Sequence, residues 1–262
     1  IDKQISNLKR TTHIIVATPG RLIDLVKRKA VDLTHVKTII LDEADEMLSM
    51  GFKRELDEIL ESLSDTVSKW LFSATMPHTI NQIINEHMNS AAHKVIISGS
   101  NVVNAKIDHK FILCDDSEKF NILLQYLNFV KGQRGIIFCR TKNETQKVAA
   151  KLKAKSITSD AIHGDLLQKE RDKVMRAFKN ENLSTIVATD LAARGIDIAD
   201  LTYVVHYQLP DQDEYYTHRS GRTARAGKKG VSLVLANSYE MRKVRNYEKN
   251  LNISFSKVKA LT

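Results

Sequence analysis

Three acidic residues fall within four positions at Asp42, Glu43 and Asp45, directly after the apolar run Ile39-Ile40-Leu41. A carboxylate at the carboxyl end of a buried parallel strand lies where open α/β sheets bind ligands. It can hold Mg²⁺ through water, because Mg²⁺ dehydrates reluctantly. A second carboxylate beside it can orient and deprotonate an attacking water. The same pattern also suits an ordinary helix N-terminus, where acidic residues favour the dipole. Ser73 and Thr75 follow the next apolar run and could bridge a carboxylate to a moving element, or form a simple turn.

A cationic counterpart lies far downstream. His218-Arg219-Ser220-Gly221-Arg222-Thr223-Ala224-Arg225-Ala226-Gly227 spaces three arginines by three residues. Such a cluster reads as a solvated basic patch, or as arginines presented to developing phosphate charge. Asp197, near the end of Thr189-Asp190-Leu191-Ala192-Ala193-Arg194-Gly195-Ile196-Asp197, can accept hydrogen bonds from a ribose or serve as a turn residue. Thr18-Pro19-Gly20-Arg21 opens a helix with Pro in its first turn, leaving backbone N–H groups for an anion.

The elements that position these residues alternate. Apolar runs predict buried strands at 12–17, 39–41, 70–72 and 95–97, with one helix continuing over 47–63 and another over 80–88. Residues 98–104 change composition and read as a linker. Beyond it, strands are expected near 110–114, 135–138, 157–162, 184–189, 203–206 and 230–235. Helices are expected near 118–130, 143–154, 167–179, 213–219 and 238–250. The fold class is therefore α/β, a parallel sheet with helices on both faces. The strand ending Ile15-Val16-Ala17-Thr18 recurs as Ile186-Val187-Ala188-Thr189, which suits two related lobes.

Composition sets the wider bounds. The 262 residues are 42% hydrophobic and 27% charged, which describes a folded chain of one large or two ordinary domains. No apolar run is long enough to span a bilayer. The net charge of +9 points toward a polyanionic partner. Cys114 and Cys139 make neither a metal-ligand spacing nor a disulfide framework, which suits a reducing, cytoplasmic setting.

The order of the motifs resembles the DEAD-box RNA helicase family across nearly the whole chain. Thr-Pro-Gly-Arg at 18–21, Asp-Glu-Ala-Asp at 42–45 and Ser-Ala-Thr at 73–75 come first. Ile-Ile-Phe-Cys-Arg-Thr-Lys at 136–142, His163-Gly164, Gln168 with Arg171, the 188–197 segment and the 218–227 segment follow. The resemblance implies two RecA-like lobes, 1–98 and 105–262 joined at 99–104, that close on ATP and RNA. It places Asp42 on Mg²⁺, Glu43 on the hydrolytic water, and Arg222 and Arg225 on the phosphates. Asp197 and Gly195 fall to the nucleotide, and Asp45, Ser73, Thr75, Arg194 and His218 to coupling between lobes. RNA falls to Thr18, Gly20 and Arg21 on the first lobe, and to Arg140, Gly164, Arg171 and Thr189 on the second.

The sequence departs from the family at two points. No Gly-x-x-x-x-Gly-Lys-[Ser/Thr] loop occurs in it, and the family's adenine-binding glutamine motif and first RNA-contact motifs are missing too. These are expected upstream of Ile1, leaving the first lobe incomplete and the chain inactive alone. Arg140 stands where the family more often has Asn. The implied activity is RNA-stimulated ATP hydrolysis with local unwinding of short duplexes. The other reading is a non-catalytic RNA-binding module.

Overall fold

The computed structural model describes residues 1–96, 106–193, 201–211, 213–224 and 227–258. The chain divides into two compact units, Ile1–Ile96 and Ile97–Thr262. The expected linker at 99–104 lies outside the described residues.

The first unit contains α1 (Asp2–Leu8), α2 (Pro19–Lys27), β1 (Thr38–Leu41), α3 (Ala44–Ser49), α4 (Lys53–Glu61), β2 (Ser68–Leu71) and α5 (His78–His87). β1 and β2 pair in parallel, Thr38 opposite Ser68 and Leu41 opposite Leu71. Leu41, Leu56, Leu60, Ile80 and Ile83 form its core, joining one face of the strand pair to α4 and α5. Side chains alternate across a strand, so Ile40, Trp70 and Phe72 fall on the other face and are exposed. The expectation that Ile39, Ile40 and Leu41 are buried alike is therefore corrected: only one face of this strand is covered.

Three further expectations need correction. Residues 12–17 form no strand, and Ile14 and Val16 are 81% and 94% exposed. Val95 and Ile96 are likewise unpaired and exposed, while Ile97 lies outside the described residues. A strand exists only through its neighbour's hydrogen bonds, and among the described residues nothing pairs with either segment. The single helix expected over 47–63 is two, α3 and α4. They are separated at Gly51, whose φ of +86° suits glycine and ends the first helix.

The second unit follows expectation closely. Its elements are β3 (Ile107–Leu113), α6 (Lys119–Phe129), β4 (Gly135–Phe138), α7 (Lys142–Ala154), β5 (Ser159–Ile162), α8 (Gln168–Lys179), β6 (Thr185–Ala188), α9 (Asp190–Ala193), β7 (Tyr203–His206), α10 (Asp213–Ser220), β8 (Gly230–Ala236), α11 (Met241–Leu251) and β9 (Ser256–Lys257). The seven strands run in the order β5-β6-β4-β7-β8-β3-β9, every pairing parallel. Ile137, Val187 and Val205 pack with Leu123, Val148 and Leu152 on one face. Ile136, Ile186 and Val204 pack with Val174 and Phe178 on the other. Both faces are covered, which is why these strands read as continuous apolar runs. Short α9 and two-residue β9 were not expected.

Candidate active site and nucleic-acid surface

In the first unit the acidic residues occupy the turn from β1 into α3. Phe72 N–H donates to the Leu41 carbonyl at 2.8 Å and Ala44 N–H to the Phe72 carbonyl at 3.0 Å, tying the carboxyl ends of both strands. Asp42 and Glu43 are exposed there, and one Asp42 oxygen, Oδ1, accepts the Glu43 N–H at 3.0 Å. Glu43 is left-handed, with φ 51° and ψ 47°. A non-glycine residue in that region costs about 1 kcal/mol, and such residues concentrate at functional turns.

Asp45 is buried, and its carboxylate is fully engaged. Oδ1 accepts the Glu46 N–H at 3.0 Å, and Oδ2 accepts both the Thr75 N–H at 2.8 Å and the Thr75 hydroxyl at 2.7 Å. The Ser73 hydroxyl donates to the Thr75 carbonyl at 2.6 Å. Asp42, Glu43, Asp45, Ser73 and Thr75 are thus brought together around two strand ends. Thr18 caps α2, followed by Pro19 at its first position. Arg21 donates to Gln4 at 3.3 Å and lies 3.9 Å from Asp24. Nothing within 4 Å would meet a side chain at Gly20.

One further cluster lies in this unit. Ligand atoms of Asp57, Glu86 and His87 lie within 4.8 Å of one another. Lys53 Nζ sits 2.9 Å from Asp57 and 3.3 Å from Glu86, so the cluster is an ion-pair tie between α4 and α5.

In the second unit the selected residues line the carboxyl end of the parallel sheet. Arg140 follows β4, Gly164 follows β5 and Thr189 follows β6. The Arg140 N–H donates to Gln208 Oε1 at 2.9 Å, and its guanidinium lies 3.3 Å from Asp211. Gly164 is exposed, with open space where a side chain would go. Arg171, in the first turn of α8, donates to the Ala192 carbonyl of α9. His218 belongs to α10 and Arg222 follows it, both half-buried. Arg194, Gly195, Asp197 and Arg225 lie outside the described residues.

Sequence reasoning assigned Arg219 no role of its own, yet it is only 1% exposed. Its Nε and Nη2 donate to the two Asp190 oxygens at 2.5 and 2.6 Å, and Nη1 to the Gln208 carbonyl at 2.7 Å. The guanidinium also lies 5.0 Å from the centre of the Phe138 ring. The ion pair fixes α10, which carries His218, to the turn holding Thr189. A buried arginine demands an acidic partner, but Asp190 is 29 positions away, so spacing could not supply it. Tyr216 and Ser220 of α10 join His109, His206 and Ser232 of the strands below in a continuous buried polar chain.

Family models match both parts of the chain: "DEAD/DEAH box helicase" over residues 1–83 and "Helicase conserved C-terminal domain" over 118–227. A Bacillus cereus protein named DEAD-box ATP-dependent RNA helicase CshA is 37% identical over 262 residues, 100% of this chain and 50% of that protein. The Streptococcus pneumoniae protein of the same name is 42% identical over 222 residues, 85% of this chain and 42% of that one. The chain spans about half the length of the curated relatives it matches. Saccharomyces cerevisiae Dbp5 bound to RNA and ADP BeF3 aligns with a TM-score of 0.87 at 29% identity, covering 96% of this chain and 66% of that one. A DEAD box protein from Methanococcus jannaschii aligns with a TM-score of 0.57 at 38% identity, covering 96% and 68%.

Proposed function

This chain belongs to the DEAD-box helicase family, and on that premise we propose that it forms part of an ATP-dependent RNA helicase. Its protein would hydrolyse ATP when RNA is bound and separate short duplexes locally. The observation that carries the reading is the turn after β1, where buried Asp45 is locked onto Thr75 while Asp42 and Glu43 stay exposed.

The residues present fit a hydrated Mg²⁺ at Asp42, whose carboxylate is exposed at a strand end with one oxygen, Oδ1, on the Glu43 amide. When bound, the ion neutralises phosphate charge. Glu43 takes the proton of the attacking water, and the left-handed turn fixes where its carboxylate starts. Arg222 and Arg225 supply positive charge to the phosphates, a role worth about 10³–10⁵ in rate. Asp197 and Gly195 meet the nucleotide. Asp45, Ser73, Thr75, Arg194 and His218 transmit the nucleotide state between the two lobes, 1–98 and 105–262 joined at 99–104. Thr18, Gly20, Arg21, Arg140, Gly164, Arg171 and Thr189 hold RNA phosphates. Because RNA grips both lobes, it favours the closed, hydrolytic state.

No Gly-x-x-x-x-Gly-Lys-[Ser/Thr] occurs in the 262 residues, so the phosphate cradle is not among them and the chain alone should not turn over ATP. The test compares ATP hydrolysis by the longer protein with and without single-stranded RNA. Glu43→Gln should abolish turnover and spare ATP binding; unchanged turnover removes Glu43 as the base. The 262-residue chain itself should bind RNA with strong salt dependence, since phosphate contacts release counterions.

A further inference from the structure

Two exposed leucines stand where the proposed RNA-contact residues of the second unit converge. β5 and β6 are neighbours, Ile162 opposite Ala188, and the Thr189 N–H donates to the Ile162 carbonyl at 3.3 Å. Gly164 and Thr189 therefore leave adjacent strand ends. Arg171 bridges the two segments that follow, from α8 to the Ala192 carbonyl of α9. Leu167, the residue capping α8, is 70% exposed, and Leu191, beside Ala192, is 55% exposed.

Leu167 is the N-cap of α8, its backbone extended at φ −62° and ψ 150°, and Arg171 follows one turn later. Both are held in place: the Arg171 N–H donates to the Leu167 carbonyl at 3.0 Å, and the Leu167 N–H donates to Glu170 Oε2 at 2.8 Å. One leucine thus lies at each end of the span that the Arg171 side chain crosses. A single exposed leucine is ordinary. Two beside the segments that a cation bridges suit a ligand that is anionic at its centre and apolar on both sides. Exposed Lys169 and Lys173 add to the positive charge of the same helix. A phosphodiester has that form, because each phosphate of RNA is joined to two riboses whose C–H edges are apolar.

Resting on the RNA-contact reading above, we propose that Leu167 and Leu191 are sugar-contact residues, packing on the two riboses beside the phosphate held at Arg171. Their contribution is apolar, so it is independent of salt and of base identity. It complements the phosphate contacts, which depend on salt alone.

The experiment measures binding of a labelled ten-nucleotide oligouridylate to the 262-residue chain between 50 and 300 mM salt. Leu167→Ser and Leu191→Ser should each weaken binding roughly three- to tenfold at every salt concentration, as expected for part of a leucine side chain returned to water. The slope of log affinity against log salt should not change. Leu167→Met, which keeps the apolar surface, should restore binding. Arg171→Gln should instead flatten that slope by about 0.7, one phosphate contact on a single strand. Leucine variants that bind like the parent while Arg171→Gln flattens the slope would falsify this inference and leave the RNA-contact reading standing. A silent Arg171→Gln overturns both. The leucine effect should persist on an abasic strand; its loss there would assign the contact to bases and overturn the sugar assignment.

Discussion

Arg219 and Asp190 form a bidentate ion pair, 2.5 and 2.6 Å, in which the arginine is fully buried and the acid a fifth exposed. It joins helix α10 to the turn after β6, segments that carry His218 and Thr189. Removing one partner of a buried pair strands the other's charge, whereas replacing both with apolar residues is close to neutral. Asp190→Ala should therefore lower the stability of the second unit by about 3 kcal/mol, read as a reduced urea midpoint by circular dichroism. Arg219→Met combined with Asp190→Leu should recover at least half of that loss. A double variant no more stable than the single one would show that the pair's charge is not what holds α10.

The Asp45–Thr75 contact lends itself to a double-mutant cycle. Thr75→Val removes one hydroxyl donor and should cost about 1 kcal/mol, while Asp45→Ala also takes the acceptor from the Thr75 N–H and should cost about 2 kcal/mol; the Glu46 N–H keeps the Glu43 carbonyl at 3.0 Å. The two should couple by about 1 kcal/mol. Trp70 is the only tryptophan in the chain and lies in the first unit, so its fluorescence reports that unit's unfolding alone. Zero coupling would mean that the hydroxyl contributes nothing through Asp45.

Legibility in the sequence followed burial. Ile136-Ile137-Phe138 and Val204-Val205 are covered on both sides, so their apolar runs located the central strands of the second unit to within a residue or two. Thr12–Ala17 carries the same kind of run but pairs with nothing among the described residues, and a run cannot report whether a neighbour exists. Gly51 divided a helix that periodicity had joined, because the apolar spacing stays in phase across it. At the candidate site, residue types at strand ends were readable as motifs. The partners that fix them were not: Asp45 with Thr75 and Arg219 with Asp190 are 30 and 29 positions apart. Only the strand order makes such pairs neighbours.

The buried histidines give the second unit an acid-sensitive stability. Desolvation, more than nearby charge, holds His109 down to about 4, and it holds His206 well below 6.5. Both are neutral in the folded state and take up protons first in the unfolded chain. Their contribution is fully present above pH 6.5 and is lost as pH falls toward 4. Stability should decline by about 1.4 kcal/mol per pH unit for each histidine in that window. His206→Gln should flatten the decline by roughly half in urea titrations across pH 4 to 7. A parent profile that is level over this range would contradict the buried neutral assignment.

Buried thiols should be slow. Burial is the leading cause that pushes Cys114 up to about 11 and Cys139 up to about 12, and both are free. The thiolate is the reactive form, so an aromatic disulfide reagent should modify neither at neutral pH until the unit unfolds. Prompt modification of either residue in the native chain would contradict its burial.

Two glycines should respond oppositely to alanine. At Gly230 a Cβ would lie 2.0 Å from the Thr223 hydroxyl and 2.8 Å from the Ala224 N. Thr223 is itself held by its hydroxyl on the Leu201 carbonyl, so it cannot simply retreat. Gly230→Ala should force the 223–224 turn off the start of β8 and cost about 1–3 kcal/mol. Arg222, just before that turn, should lose its setting, so on the function proposed above RNA-stimulated ATP hydrolysis should fall as well. At Gly164 nothing lies within 4 Å, so alanine should leave the melting temperature unchanged. If Gly164 admits an RNA phosphate against its backbone, the added methyl group should still weaken RNA binding. Equal melting temperatures for Gly230→Ala and the parent would show that the turn has room that the packing denies. Unaltered RNA affinity in Gly164→Ala would remove that residue from the proposed path.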